Sequence, residues 1–186
     1  MANFTKKAIK ETFIKLLSDR PLSQITVKDI VETCGINRNS FYYHYHDIPA
    51  LIEEIVIEEA DRIIAEYPTL DSLEMGFTAA IDFAKNNRRA ILHIFKSVNR
   101  DIFEQYLWKV CDYVVVSVCK NVFTNQPIPD DDRDIIIQFY KAQCFGMVID
   151  WLRSGMKDDV YHKIHRICEL QKGMLEEMLR RSIENK

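Results

Sequence analysis

The stretch from Thr26 to Tyr45, TVKDIVETCGINRNSFYYHY, limits what this chain can become more than any other part of it. Thr26 is followed three residues later by Asp29, the hydroxyl-then-carboxylate spacing of a capping box. The helix it opens has Val27, Ile30 and Val31 along one face and stops near Cys34-Gly35, where glycine accepts the left-handed backbone of a tight turn. A second helix starting at Asn37 or Arg38 would carry Asn37, Arg38, Asn39, Tyr42, Tyr43 and His44 around most of its circumference, leaving Phe41 and Tyr45 as the apolar underside. A helix buried in a core needs an apolar stripe, and this one offers donors suited to phosphates and base edges. Two readings compete: an aromatic cluster closing a small core, or a DNA-contacting face that also includes Ser40. Burying the polar groups would cost roughly 1–3 kcal/mol for each one left unpaired, so exposure toward DNA is the cheaper arrangement.

A capped helix, a glycine turn and a polar-faced short helix form a helix-turn-helix. Residues from about Thr5 to Ala60, above all TVKDIVETCGINRNSFYYHYHDIPALIEEI, resemble the DNA-binding domain of the tetracycline-repressor (TetR) family of bacterial regulators. The resemblance implies a phosphate contact from Tyr43, base or phosphate contacts from Asn37, Arg38, Asn39 and Tyr42, and a phosphate-binding entry at Thr26 and Lys28. It also has departures. Lysines are common in the family where this chain has His46 and Ile48, so either the fourth helix reaches phosphate through its backbone amides alone, or affinity is lower. His46, whose charge depends on pH, is expected to compensate in part.

The formal net charge of −3 looks wrong for a nucleic-acid binder, but its distribution does not. Residues 1–46 hold seven basic against four acidic side chains, a balance of +3, whereas residues 47–70 hold Arg62 against seven acids. A phosphate footprint is a property of a patch, so the local balance governs. Five glycines and five prolines among 186 residues favour helix over sheet, and the length suits one or two helical units. The five cysteines are scattered without a CxxC pair, which points to reduced thiols; with no apolar run of signal-peptide or membrane-spanning length, a cytoplasmic protein without membrane association is expected.

The first helix is expected over residues 5–18, with Ile9, Phe13, Leu16 and Leu17 inside. Lys6 and Lys10 would lie near a phosphate strand or form a solvated face; the sequence supports both. Asp47 caps a fourth helix with Pro49 in its first turn, running to about Glu66. Its acidic flank, Glu53, Glu54, Glu58 and Glu59, would repel DNA, which makes it a connector leaving the duplex. Tyr67-Pro68-Thr69 gives the domain boundary: 1–46 a helix-turn-helix domain, 47–66 a connector helix, 67–186 a second helical domain. Five further helices are expected over 71–86, 88–97, 99–123, 131–154 and 161–182. The spacing of Cys144-Phe145-Gly146, Trp151-Leu152 and Gly155-Met156 is similar to a C-terminal domain class of Firmicutes-type TetR members. In that family the last two long helices pair with their copies as a four-helix bundle.

Two sets of residues in the second domain carry functional expectations. Phe83, His93, Phe103, Tyr106, Val110, Tyr113, Val114 and Gln143 either line an effector cavity for a small apolar or aromatic molecule or form plain helical core. Gly146, placed inside a helix at a cost of roughly 1 kcal/mol against alanine, suggests close approach of another helix. The dimer surface is therefore expected at Gly146, Met147, Asp150 and Trp151, together with Ile167, Gln171, Met174 and Met178. His162, His165, Cys168 and Glu169 share one side of a single helix and cannot enclose an ion without ligands from elsewhere, so no metal is expected. No nucleophile elbow, phosphate loop or carboxylate pair suggests an enzyme, and no cofactor is implied. The expected protein is an all-α homodimeric regulator that binds an operator in double-stranded DNA, a repressor released from a pseudo-palindromic site by a small molecule. Its rivals are an activator of the same fold working through a protein partner, and a structural DNA-binding protein without a ligand.

Overall fold

The computed structural model describes residues 2–68, 73–97, 100–124, 126–157 and 159–184, with the side chains of all of these except 2, 3, 73, 97, 100–103 and 121. Helix α1 (Ala2–Asp19) turns its Ile9, Phe13 and Leu17 inward, all at 2% exposure or less. After Pro21, a 3-10 turn (Leu22–Gln24) leads through buried Ile25 to α2 (Val27–Cys34). The capping box is complete: the Asp29 amide donates to the Thr26 hydroxyl, and the Thr26 amide donates to the Asp29 carboxylate at 2.8 Å. Gly35, with φ +72°, closes the helix from the left-handed region, and the Ile36 amide returns to the Val31 carbonyl at 3.0 Å.

Helix α3 (Arg38–His44) buries Phe41 completely, and the chain then enters α4 (Ile48–Glu66), where the Ala50 amide donates to Asp47. Leu51 of α4 and Phe41 join Ile9, Phe13, Leu17, Ile30, Val31 and Tyr45 in one cluster. Ala90 of α6 (Arg88–Ser97) is buried in the same cluster and Ile94 packs against it. The His93 Nδ1–H donates to the Leu17 carbonyl at the end of α1, at 2.7 Å. The first compact unit is accordingly Met1–Glu59 with Phe83–Tyr106, whereas the expected division into 1–46, 47–66 and 67–186 follows chain order. Periodicity identified α6 as a helix; that its buried face matches α1 is a long-range fact that no local pattern encodes.

The second unit is Ala60–Asp82 with Leu107–Lys186. Helices α4, α5 (Leu73–Asn86) and α7 (Arg100–Phe123) each have residues in both units. Val115, Cys119 and Phe123 of α7 pack with Ile136 of α8 (Asp130–Arg153) and with Leu175 and Leu179 of α10 (Met174–Glu184). Three aspartates in the first turn of α8 complement its helix dipole, and the Ser182 hydroxyl donates to one of them, Asp132, at 2.6 Å.

The helix expected over 161–182 is two helices, α9 (Val160–Leu170) and α10. Gly173 sits at φ +80° between them, a backbone conformation that breaks the ladder whatever the helix propensity of Met174 and Leu175. Among the described residues no helix is long and apolar enough to cross a membrane.

Candidate nucleic-acid interface

The outer face of α3 is built by fixing both of its ends. At the start, Asn37 Oδ1 accepts from the Ser40 amide at 2.8 Å and the Ser40 hydroxyl at 3.0 Å. At the end, Tyr45 buries its ring against Phe41 and donates its hydroxyl to Glu54 of α4 at 3.0 Å. Between these anchors Arg38 and Asn39 are exposed, and Tyr42 and Tyr43 stand 53% and 81% exposed. Two neighbouring tyrosines presented to solvent on a short helix give hydroxyl donors and flat apolar rings on one surface, the combination that reaches phosphate and base edges in a major groove. Edge contacts of Tyr42 with Phe41 and of Tyr43 with His44 orient both rings.

The ten residues expected at DNA divide accordingly. Lys28, Arg38, Asn39, Tyr42, Tyr43 and His46 present exposed side chains, with Lys28 beside Glu32 at 3.7 Å and His46 beside Asp47 at 3.4 Å. His44 and Ser40 are half-buried. Thr26 and Asn37 are exposed, but their side-chain oxygens are committed to the caps of α2 and α3. Asn37 thus keeps only its amide N–H groups for DNA, and the α2 entry keeps the exposed Lys28 side chain, its Thr26 hydroxyl being taken up by the cap.

Asp29 is held at about 2, first by its hydrogen bonds with Thr26 and then by Arg20, whose guanidinium lies 2.9 Å away. The cap therefore stays ionised and intact at any ordinary pH.

Glu54 does what the sequence reading missed. Its carboxylate receives Lys6 at 2.9 Å, Lys10 at 2.6 Å and the Tyr45 hydroxyl, while Lys10 also pairs with Glu58. Burial acts to raise the Glu54 carboxyl, and the hydrogen bonds from Lys10, Lys6 and Tyr45 outweigh it and hold it at about 2. Burial, with Glu54 beside it, pushes the Tyr45 phenol well above its ordinary value. Glu54 and Glu58 of the acidic flank of α4 are thus the counter-charge for α1. Lys6 and Lys10, read as a phosphate or solvated face, form an ion-pair clasp instead. The signal was present: two lysines four apart on α1 and two glutamates four apart on α4.

The residues expected to line an effector cavity are divided between the two units. Phe83, His93 and Tyr106 belong to the first and Val110, Tyr113, Val114 and Gln143 to the second; the Phe103 side chain lies outside the described residues. Three of their polar groups have protein partners: His93 the Leu17 carbonyl, Tyr113 the Asp61 carboxylate, and Gln143 the Gln171 amide at 3.0 Å. Two open depressions in the second unit, each of roughly 420–440 Å³, are lined by other residues: Pro129, Ile135, Ile136 and Met178 in one, Tyr67, Glu74, Met75 and Asp82 in the other.

Of the expected dimer residues, Gly146 and Asp150 are exposed, Met174 is 37% exposed, and Met147, Ile167 and Met178 are half-buried. A Cβ on Gly146 would meet nothing within 4 Å. Trp151 corrects the expectation: it is 8% exposed and its indole nitrogen is buried without a hydrogen-bond partner among the described residues, so it belongs to the subunit interior. Ile135 (60% exposed), Phe139 (42%) and Leu170 (67%), which the sequence reading passed over, are further exposed apolar side chains. Of the four clustered polar residues on α9, His165 is engaged by Glu74 at 2.8 Å, which raises its ring above the ordinary histidine value.

A capped helix-turn-helix with an exposed aromatic reading face, followed by an all-helical second unit, defines a DNA-binding regulator. Residues 11–55 match the family described as bacterial regulatory proteins, tetR family, and residues 71–173 match the one described as transcriptional regulator C-terminal region. The chain belongs to the TetR family of transcriptional regulators, with the Firmicutes-like C-terminal domain. It is 34% identical over 171 residues to the uncharacterized HTH-type transcriptional regulator YxbF of Bacillus subtilis (strain 168). That alignment covers 83% of this chain, which spans only 41% of the length of that relative.

Solved structures share the fold. The dihydroxyacetone kinase operon activator DhaS aligns with a TM-score of 0.65 at 19% identity, covering 90% of this chain and 95% of its own. A TetR regulator from Streptococcus agalactiae 2603V gives 0.56 at 19%, covering 90% and 92%. NalD, the secondary repressor of the MexAB-OprM multidrug efflux pump in Pseudomonas aeruginosa, gives 0.52 at 17%, covering 97% of each chain.

Proposed function

We propose that the chain is a homodimeric repressor that occupies a pseudo-palindromic operator and is released by a small molecule acting on the second unit. The observation that carries the DNA half is the exposed pair Tyr42 and Tyr43 on a helix fixed at both ends. Two copies of α3, one per subunit, enter successive major grooves. Tyr43, Lys28 and the first-turn amides of α2 meet phosphate, and Tyr42, Arg38 and Asn39 read bases. The homodimer is supported by exposed apolar side chains on α8 (Ile135 and Phe139), at the end of α9 (Leu170) and at the start of α10 (Met174), with Gly146 open on α8.

Release is supported by the continuity of α5 and α7, which have residues in both units, and by the bond from His93 to the end of α1. A ligand that prefers one setting of α5 and α7 biases α6, and through His93 the position of α1. The satisfied polar groups of His93, Tyr113 and Gln143 favour a second reading, a regulator of the same fold without a small-molecule effector.

Selection of genomic fragments on the full-length protein, followed by titration at two salt concentrations, tests the DNA half. Enrichment of a two-fold symmetric site with salt-dependent affinity is expected, and enrichment of no symmetric site overturns the proposal. A thermal-shift screen of apolar and aromatic compounds tests release, and a ligand that stabilises the protein and weakens the operator complex is expected. Absence of any such ligand favours the second reading.

A further inference from the structure

Helices α1 and α4 lie side by side and run in the same direction, because their ion pairs advance in step: Lys6 meets Glu54, and Lys10, one turn on, meets Glu58 as well as Glu54. At a rise of about 1.5 Å per residue, α1 begins about 6 Å before the level of Lys6 and α4 about 9 Å before that of Glu54, so the two N-terminal ends come out nearly level. The end of α3 meets them there. The Tyr45 hydroxyl donates to Glu54, and the Lys6 ammonium stands 5.6 Å from the centre of the Tyr45 ring. The start of α1 therefore flanks the helix whose outer face carries Tyr42 and Tyr43.

Two side chains of that start project from the fold. Phe4 is 80% exposed, second to Tyr43 among the large apolar side chains described, and Lys7, three residues on and so on the same outer face, is 75% exposed. Lys7 pairs with Glu11 at 3.9 Å, an exposed contact that holds it weakly. The surroundings favour an anion: the N-terminal end of α1 carries the positive end of its dipole, and the Glu54 carboxylate is already neutralised by Lys6 and Lys10.

We propose, on the reading of α3 as the helix that enters the groove, that Phe4 and Lys7 extend the DNA interface beyond it, with the Lys7 ammonium on a backbone phosphate and the Phe4 ring on the adjoining deoxyribose. Each phosphate of a duplex has a sugar beside it whose C–H groups form an apolar patch, so an ammonium and a ring one turn apart fit a single nucleotide together. Covering the ring there removes apolar surface from water, and the ammonium displaces a counterion from the duplex. A protein surface would suit Phe4 alone. The basic neighbour and the continuity with α3 select DNA as the occupant.

The test titrates the full-length protein against two duplexes, the tightest one selected from genomic fragments and one of random sequence, at several salt concentrations. Lys7→Ala should weaken binding to both by roughly threefold to tenfold and flatten the plot of log affinity against log salt by about one unit per subunit. Phe4→Ala should weaken both by about threefold with the salt dependence unchanged. Hydroxyl-radical footprinting should show the double variant losing protection at a discrete set of sugars while the rest of the footprint stays. Both side chains are exposed, so the variants should melt with wild type. Lys15→Ala, exposed on the same face two turns further along, should bind as wild type does, which separates a local contact from the general attraction of a basic segment. Equal losses from Lys15→Ala and Lys7→Ala, or wild-type binding by Lys7→Ala or Phe4→Ala while Tyr43→Ala binds weakly, would overturn the proposal and leave the reading of α3 standing. Tyr43→Ala binding as tightly as wild type would overturn both.

Discussion

Replacing Glu54 with glutamine keeps the shape of the side chain and removes the charge that joins α1, α4 and the end of α3. In the folded protein the carboxyl is held at about 2, against an ordinary value of 4.5, and that difference corresponds to roughly 3 kcal/mol at most. With 27% of the side chain still exposed, solvent screening reduces this to about 1–2 kcal/mol. In a chain of this size the melting temperature should fall by about 3–6 °C at neutral pH. The sign with pH is fixed by the direction of the shift. A carboxyl whose folded value lies below its unfolded one stabilises fully above about 4.5, and that stabilisation is lost as pH falls toward about 2.

Thermal melts of wild type and Glu54→Gln, followed by circular dichroism at several values between pH 7 and pH 2.5, measure the gap directly. It should be full at neutral pH and narrow steadily below about 4.5. A gap that keeps its size to the acid end would assign the loss to packing, and no gap at neutral pH would show that the clasp adds nothing to stability; either result refutes the electrostatic account.

Tyr43→Ala should leave the melting temperature unchanged, because the ring is 81% exposed, and should weaken binding to every DNA sequence by roughly tenfold, read by anisotropy titration. Asn37→Ala removes the α3 cap and should cost about 1 kcal/mol of stability, lowering affinity for good and poor operators by the same factor. Gly146→Leu should leave the subunit folded, since nothing lies within 4 Å of its new Cβ, and shift sedimentation toward monomer; an unchanged dimer would remove Gly146 from the interface. His93→Phe should cost about 1 kcal/mol by leaving the Leu17 carbonyl without its donor, seen as earlier melting.

The helix-turn-helix was legible because its signals are local: Thr26 with Asp29, Gly35 after Cys34, and the apolar spacing of α1 and α2 all act within a few residues. The α3 surface was legible for the converse reason, since a helix so polar and aromatic on its outside has no core to fill. What stayed hidden depends on partners distant in sequence. Lys10 and Glu54 are too far apart for helical periodicity to relate, and the bond from His93 to Leu17 joins segments 76 residues apart. Trp151 illustrates a different limit: its place on α8 was right, but which side of that helix the subunit covers is decided by neighbours from other helices. Gly173 could have been read as a helix stop; the strong helix formers around it concealed the break.

The anchoring of α3 assigns different tasks to residues of similar chemistry. A helix of seven residues is too short to hold itself together in water, so its geometry must come from outside. Asn37 supplies it at the start through the cap, Phe41 in the middle through complete burial, and Tyr45 at the end through its buried ring and its bond to Glu54. Arg38, Asn39, Tyr42 and Tyr43 are left with little part in folding. Asparagine and tyrosine each occur in both groups; what separates Asn37 from Asn39 is that the Asn37 carbonyl oxygen is committed to the cap of α3. In the proposed complex, changes at Arg38, Asn39 and Tyr42 should therefore alter which bases are preferred at little cost in stability, whereas a change at Asn37 or Tyr45 removes an anchor of α3. A chain so arranged can acquire a new operator by substitution on α3 alone while the Glu54 clasp continues to set the angle at which that helix is presented.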